Sequence, residues 1–160
     1  MSEIRIEGLD DLRAAIGKMP EAAKRGAVRG VTRAAIRWQG AARENAPVDT
    51  GRLRASIAYA VEVVGAPVRA VVGSKVEYAP YMEFGTRPHF PPPGALTTWA
   101  RRHGFGQWGE LFLHLLIARR GTKPRRYLGQ AFADNQRAFA EDIQREIRAE
   151  LDREVARGQN

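Results

Sequence analysis

The sequence predicts a mixed fold of the α/β (α+β) class, in the order long helix, β-hairpin, helical insertion and long helix. Apolar residues recur every three or four positions from Glu21 to Asn45 and again from Tyr127 to about Arg157, as in helices with one buried face. Between these helices, two alternating apolar runs flank a turn at residues 65–67, which predicts the hairpin. A chain of 160 residues can bury one core but hardly two, so we expect a single domain over residues 1–160.

The N-terminal third is predicted to be mostly helical. Residues 3–6 alternate polar and apolar side chains, which indicates a short strand, and residues 9–19 have the apolar spacing of a short helix. Pro20 is suited to the start of the next helix, and Pro47 requires that helix to end by Asn45. Its small alanines permit close packing, and its apolar stripe consists of Val28, Val31, Ala35, Trp38 and Ala42.

A turn and the hairpin follow this helix. Asp49, Thr50 and Gly51 favour a turn through side-chain hydrogen bonding and glycine freedom. The chain is then expected to be extended from Leu53 to Val64 and to return as a second strand over Val68–Val72.

The segment Lys75–His89 concentrates aromatic and acidic side chains before a glycine. Its aromatic residues favour an extended backbone, so we predict a further strand over Tyr78–Phe84, limited to a sheet edge by Pro80. Gly85 allows a sharp turn afterwards. Such a segment is either the rim of a protein contact or a strand end that faces the core, and the residues alone leave both open.

Residues 87–126 form a basic helical insertion with short helices at 95–103 and 110–120. The second helix is apolar nearly all round, so it should be buried or covered by a neighbour. The insertion has one acid, Glu110, and eight basic residues: Arg87, Arg101, Arg102, Arg119, Arg120, Lys123, Arg125 and Arg126. This patch would attract a polyanion or an acidic protein ring, or it is simply a solvated arginine-rich loop.

No pattern in the sequence indicates catalysis, a metal or a cofactor, so we expect none of them. The chain has no cysteine, and His89, His103 and His114 lack a second ligand at metal-binding spacing. No nucleotide-binding or nucleophile motif occurs. We also find no secretion signal and no apolar run long enough to cross a membrane.

Three ordered motifs resemble one protein family. They are A-P-V-D-T-G-R-L-R-A-S-I, Y-A-P-Y-M-E-F-G-T and G-T-K-P-R-R-Y-L-G-Q-A-F, within roughly Glu21–Asn135. Together they resemble the head–tail joining, or tail-completion, proteins of long-tailed bacteriophages, typified by gene product ten of the HK97-type phages. The third motif departs from the usual family pattern, because Arg126-Tyr127 and Gly129-Gln130 stand where prolines flank the leucine.

The resemblance implies a non-enzymatic virion protein of the siphovirus neck, made in the host cytoplasm. It also implies a curved antiparallel sheet with a long helix packed across it, and a homo-oligomeric ring, six-fold or twelve-fold. The implied partners are the connector or stopper, the tail terminator or tail tube, and packaged DNA through non-specific contact.

We expect the contact to centre on Phe84 as a buried anchor, with Glu83 accepting from an arginine on a wet rim. The full set of candidate contact residues is Tyr78, Tyr81, Glu83, Phe84, Gly85 and Thr86, with Asp49, Thr50 and Gly51 of the turn.

An alternative function is a sequence-independent nucleic-acid-binding module that uses residues 87–126. Such a module needs aromatic side chains for base stacking, and Phe90, Trp99, Phe105 and Trp108 are available. Trp99 falls on the apolar face of its helix, where core packing is the default.

Overall fold

The structure is a computed structural model that describes residues 21–63, 67–106 and 108–158. Its elements are α1 (Glu21–Asn45), α2 (Arg52–Ser56), β1 (Ile57–Val63), β2 (Val68–Ser74), α3 (Ala79–Phe84), α4 (Thr97–Arg102), α5 (Gly109–Arg120) and α6 (Tyr127–Gly158). The predicted mixed α+β class is confirmed, with long helices near both ends of the described chain. The strand predicted at 3–6 and the helix predicted at 9–19 lie outside the described residues.

Helices α1 and α6 pack against each other as an antiparallel pair at unusually short distance. A methyl group at Gly26 would lie 2.6 Å from the Cα of Ile147, and one at Gly30 would lie 2.5 Å from the Cα of Ile143. These separations are too short for any side chain, so the two backbones meet where α1 has no Cβ atom. The close approach therefore depends on glycine at both positions.

A ladder of ion pairs runs along the same helix pair. Four arginines recur every fourth residue of α1, and four carboxylates recur every fourth residue of α6, so each set forms one row. The pairs are Arg25–Glu154 at 2.6 Å, Arg29–Glu150 at 2.8 Å, Arg33–Glu146 at 3.1 Å and Arg37–Asp142 at 2.8 Å. Asp142 is fully buried and Glu150 nearly so, while the arginines remain half exposed.

Helix α1 also packs across the β-hairpin. Ala35 and Trp38 share one apolar cluster with Ile57 of β1 and Val72 of β2. The Trp38 indole Nε1 donates to the main-chain oxygen of Leu128 at 2.9 Å, so the same side chain joins α1 to the first turn of α6. Helix α1 thus contacts both the sheet and α6, and the core lies along its length.

The hairpin is antiparallel, as predicted, and its strands pair from Ile57↔Ser74 to Val63↔Val68. Within the described chain the sheet has two strands, and turn residues 64–66 lie outside that part. The extended conformation predicted from Leu53 is wrong for residues 53–56, which belong to the short helix α2. Gly51 starts this helix at φ 80°, and the Leu, Arg and Ala residues that follow favour helix over strand.

The strand predicted over Tyr78–Phe84 is also wrong, because Ala79–Phe84 is helix α3. Pro80 lies in the first turn, where its missing N–H breaks no helical hydrogen bond. Met82 and Glu83 favour helix, and the two tyrosines tolerate it. The helix ends at Gly85, whose N–H donates to the oxygen of Tyr81 at 2.9 Å.

Replacing Gly30 by alanine should force α1 and α6 apart. We expect Gly30→Ala to lower the free energy of unfolding by about 1–3 kcal/mol, the usual range for overpacking a tight core. Gly40→Ala is the matched control on the same helix, because nothing lies within 4 Å of a methyl group there. Alanine favours helix, so the control should be stabilised by up to about 1 kcal/mol. Equal urea midpoints for both variants would contradict the close packing.

The ladder lowers the pKa values of its buried carboxyl groups. The hydrogen bond from Arg37 lowers the pKa of Asp142; burial opposes this shift, and the positive charges of Arg37, Arg145 and Arg33 support it. For Glu150, burial alone would raise the pKa, but the hydrogen bond from Arg25 and the charges of Arg29 and Arg153 outweigh it and lower the pKa.

Acid should therefore destabilise the protein through this ladder. Because the folded-state pKa values lie below the unfolded ones, the stabilisation is complete above about pH 5 and is lost as the pH falls through the folded-state values. We expect the urea midpoint of the Asp142→Asn, Glu150→Gln double variant to be lower at pH 7 and to depend less on pH between 6 and 3. Asp152→Asn, an exposed site on α6, is the control. An unchanged pH dependence in the double variant would refute the assignment.

Candidate protein-contact site

Helix α3 exposes its aromatic side chains and buries its acid. Tyr81 and Phe84 are 59% and 58% exposed, whereas Ala79 and Glu83 are 5% and 4% exposed. Residues four apart share one face of a helix, and so do residues three apart. Ala79 and Glu83 therefore face the core, while Tyr81 and Phe84 lie together on the outside. Tyr78, just before the helix, is also partly exposed.

The buried carboxylate of Glu83 caps the N-terminus of α6. Its Oε2 accepts from the N–H of Leu128 at 2.8 Å, and its Oε1 accepts from the N–H of Gly129 at 2.9 Å. The first N–H groups of a helix have no partner within the helix, and a negative charge is favourable there. The expectation that Glu83 accepts from an arginine on a wet rim is therefore wrong: its two partners are main-chain N–H groups inside the subunit.

One sequence signal could have indicated this role. Helix α6 begins after Arg125-Arg126, so no serine, threonine, aspartate or asparagine is placed to cap it locally. Its N–H groups therefore need an acceptor from elsewhere in the chain. The sequence does not say which acid supplies it, because Glu83 lies 45 residues before Leu128.

Tyr127 completes the buried side of the site. Its side chain is fully buried, and its hydroxyl has no hydrogen-bond partner among the residues described. Burial raises the pKa of Tyr127 to about 12, and the negative charge of Glu83 adds to the shift. The ring is therefore a neutral packing group at physiological pH.

Main-chain hydrogen bonds fasten α3 to the segment that leads into α6. The N–H groups of Arg125 and Arg126 donate to the oxygens of Met82 and Glu83 at 2.8 and 3.1 Å. Thr86 and Thr122 form an isolated antiparallel bridge. Gly85 adopts φ 70° and lies against the backbone of Thr122, so no side chain fits there. The exposed aromatics of α3 therefore stand on a rigid base.

The turn Asp49–Gly51 forms its hydrogen bonds and ion pair with residues other than those of α3. Asp49 forms an ion pair with Arg102 of α4, and Thr50 Oγ1 accepts from the N–H of Arg52 at 3.4 Å. Across the described ranges, no hydrogen bond or ion pair joins this turn to α3. The grouping of Asp49, Thr50 and Gly51 with the aromatic segment stays a prediction.

The basic residues lie on a lobe, residues 87–121, and on the irregular segment 122–126 that follows it. All eight predicted patch residues are exposed. Within the described chain, Arg102 alone among them has an ion-pair partner. The lobe's acid, Glu110, is engaged inside the lobe by the N–H of Gly94 and the hydroxyl of Thr97. The patch therefore carries uncompensated positive charge.

Helix α5 of the lobe is not buried by the part of the subunit that the structure describes, so those residues do not supply the first of its two predicted environments. Leu111, Phe112 and Leu115 are each more than half exposed, and so are Phe90 and Trp108. Trp99 is half-buried and stacks on His103 at 4.0 Å between ring centroids. Cover by a neighbour remains the open prediction for α5.

Neither a cluster of metal ligands nor a helix that could span a membrane occurs among the described residues. No group of histidine, aspartate or glutamate side chains among them could hold a metal ion. None of the helices in the described ranges is long and apolar enough to cross a membrane.

Residues 10–85 match the sequence model of a family described as "Bacteriophage HK97-gp10, putative tail-component". The match confirms the resemblance seen in the motifs and supports a phage tail component, which is a part of the virion. The matched range contains α1, the hairpin and α3 and ends at Gly85. The third motif, at the start of α6, lies beyond it. Comparisons with curated proteins and with solved structures gave no match.

Removing the Glu83 carboxylate should destabilise the subunit. We expect Glu83→Ala to lower the free energy of unfolding by about 2 kcal/mol or more, because two main-chain N–H groups lose their acceptor. The free energy of unfolding of Glu83→Gln should lie between those of the wild type and Glu83→Ala, because its amide keeps one acceptor oxygen. Glu77→Ala is the control in the same segment: its side chain is exposed, so its effect should stay within about 0.5 kcal/mol. Similar unfolding of the two alanine variants would contradict the capping role.

Proposed function

We propose that this protein is a non-catalytic structural component of the neck of a long-tailed phage. In this role it forms a symmetric ring that completes the tail and joins it to the head connector. The family match supports the tail component, and the exposed aromatic pair on α3 is the observation that favours an assembly role. Tyr81 and Phe84 are large, apolar and outward-facing, and they sit on a base fixed by Glu83 and the Thr86–Thr122 bridge.

Aromatic side chains that are fixed in position before binding favour a protein interface. Aromatic residues are enriched in protein interfaces and supply much of the binding free energy at their centres. Ordering flexible groups costs free energy on association, so a surface that is already rigid binds better than a mobile one. The Gly85 turn and the main-chain bonds to residues 125 and 126 provide that rigidity.

The hairpin offers a second feature that suits ring formation. Its two strands pair only with each other within the described chain, so each has an outer edge that no further strand covers there; at the start of β1, the Ile57 oxygen accepts from the side chains of Gln39 and Arg43. A neighbouring subunit can add a strand to such an edge. A head-to-tail contact of this kind closes into a ring when the rotation between subunits divides a full turn, and otherwise builds an open filament.

The proposed partners follow from this place in the particle. One side of the ring would meet the connector or stopper, and the other the tail terminator or tail tube. Symmetric neighbours favour six-fold or twelve-fold closure. A neck also surrounds the DNA passage, so the uncompensated arginines of the lobe could contact phosphate without reading sequence.

Truncating Phe84 tests the interface. Because Phe84 is 58% exposed, we expect Phe84→Ala to fold normally by circular dichroism and to fail in ring assembly and in complementing a phage that lacks this protein. Loss of an aromatic anchor typically costs about 2 kcal/mol or more of association free energy. Electron microscopy of the purified protein and plaque counts give the two readouts.

Phe84→Tyr is the matched control, because it keeps the ring and should assemble and complement. A folded Phe84→Ala variant that complements fully would overturn the proposed interface. An unfolded variant would show that Phe84 acts in the fold rather than in assembly.

A further inference from the structure

The outer face of α5 is an apolar stripe that no part of the described chain covers. Trp108, Leu111, Phe112 and Leu115 have the i, i+3, i+4, i+7 spacing that places side chains on one side of a helix. Their exposed fractions are 70%, 53%, 57% and 55%. We call these four residues the α5 stripe. The stripe exposes apolar area on the order of 400–500 Å², which is at the upper end for a surface that stays in water.

Positive charge surrounds one end of this stripe. Arg119 and Arg120 form the last turn of α5. The main chain of Arg87 lies against Gly121 at the same end, since the chain there pairs through the Thr86–Thr122 bridge. None of these three arginines has an ion-pair partner among the residues described. A complementary occupant therefore combines apolar side chains with carboxylates.

We propose that the α5 stripe is the docking surface for an acidic amphipathic segment of a different virion protein. An apolar helix face binds the apolar face of a partner segment, and carboxylates at the partner's end would pair with Arg87, Arg119 and Arg120. This inference rests on the proposed function, because it takes the partner to be a neighbour in the neck.

The charges argue against a second copy of this chain as the occupant. A parallel pairing of two α5 stripes would bring like-charged arginine clusters together. An antiparallel pairing would place each cluster beside Glu110 of the other copy, but that carboxylate is already engaged by Gly94 and Thr97. The carboxylates of α6 that could neutralise them, such as Asp142, Glu146 and Glu150, are already taken by the ladder with α1. DNA would satisfy the arginines, but its phosphates offer nothing to Leu111, Phe112 and Leu115.

The lobe can be altered without disturbing the core. In the described chain, the Arg102–Asp49 pair joins the lobe to the rest of the subunit, and the Thr86–Thr122 contacts close the base from which the lobe extends. Neither involves the α5 stripe. Substitutions on the stripe should therefore leave the unfolding transition of the subunit in place.

Site-specific crosslinking in assembled particles tests the inference. The photoreactive residue p-benzoylphenylalanine replaces Phe112 in the full chain, with Ile36 of α1, half exposed on the body, as the control position. Crosslinked peptides from purified virions are then sequenced. We expect Phe112 to crosslink to a peptide of another virion protein that is apolar and net acidic. The double charge reversal Arg119→Glu, Arg120→Glu should lower the yield about tenfold, with the circular dichroism spectrum unchanged.

Four outcomes would overturn the inference. They are a crosslink to α5 of a second copy, a crosslink to DNA, a basic partner peptide, and no crosslink from particles that contain the chain. A blot of purified virions and micrographs of the rings separate the two proposals. Rings in the neck with a self-crosslink would leave the proposed function intact and remove the docking site, whereas absence of the chain from virions would remove both.

Discussion

The close approach of α1 and α6 is the constraint on which the rest of the structure depends. Gly26 and Gly30 let the two backbones touch, and that distance brings the arginine row of α1 onto the carboxylate row of α6. It also positions the first turn of α6 beside Trp38. With α6 fixed there, its N-terminal N–H groups fall within reach of Glu83. The helix pair thus determines where the candidate contact site can form.

Glu83 and Phe84 are adjacent residues whose side chains point to different sides of α3. The carboxylate turns inward and caps α6, whereas the phenyl ring turns outward with Tyr81. This division follows from helical geometry: neighbouring positions on a short helix point about 100° apart. The acid fixes the orientation of α3, and the aromatic surface benefits from that fixed orientation. The sequence suggested that this acid and this aromatic residue form one contact rim. In the structure, Glu83 has a structural role and Phe84 is exposed.

The pair of helices α1 and α6, which we call the body, differs from the lobe in whether its charged and apolar side chains have partners. On α1 and α6, the arginines face carboxylates and the apolar side chains face the core. In the lobe, the basic groups other than Arg102 lack ion-pair partners among the residues described, and the apolar stripe of α5 faces outward. A polar surface needs no partner, but a large apolar stripe beside unpaired charge is stabilised by association. The helix pair thus covers its own charges and apolar side chains, whereas the lobe exposes the apolar surface on which the proposed docking depends.

The sequence by itself determined the long helices and the hairpin, because these depend on local signals. Pro20 and Pro47 bracket α1, and alternation in β1 and β2 fixes their pairing. The local signals misled for two short elements. Residues 53–56 and 79–84 were predicted to be extended, but helix caps and turns at Gly51 and Gly85 make them helical. Only the tertiary structure assigned Glu83 its partners, because the capped N–H groups lie 45 residues away. It alone also showed that α5 faces outward, because periodicity reveals an apolar helix but not what covers it.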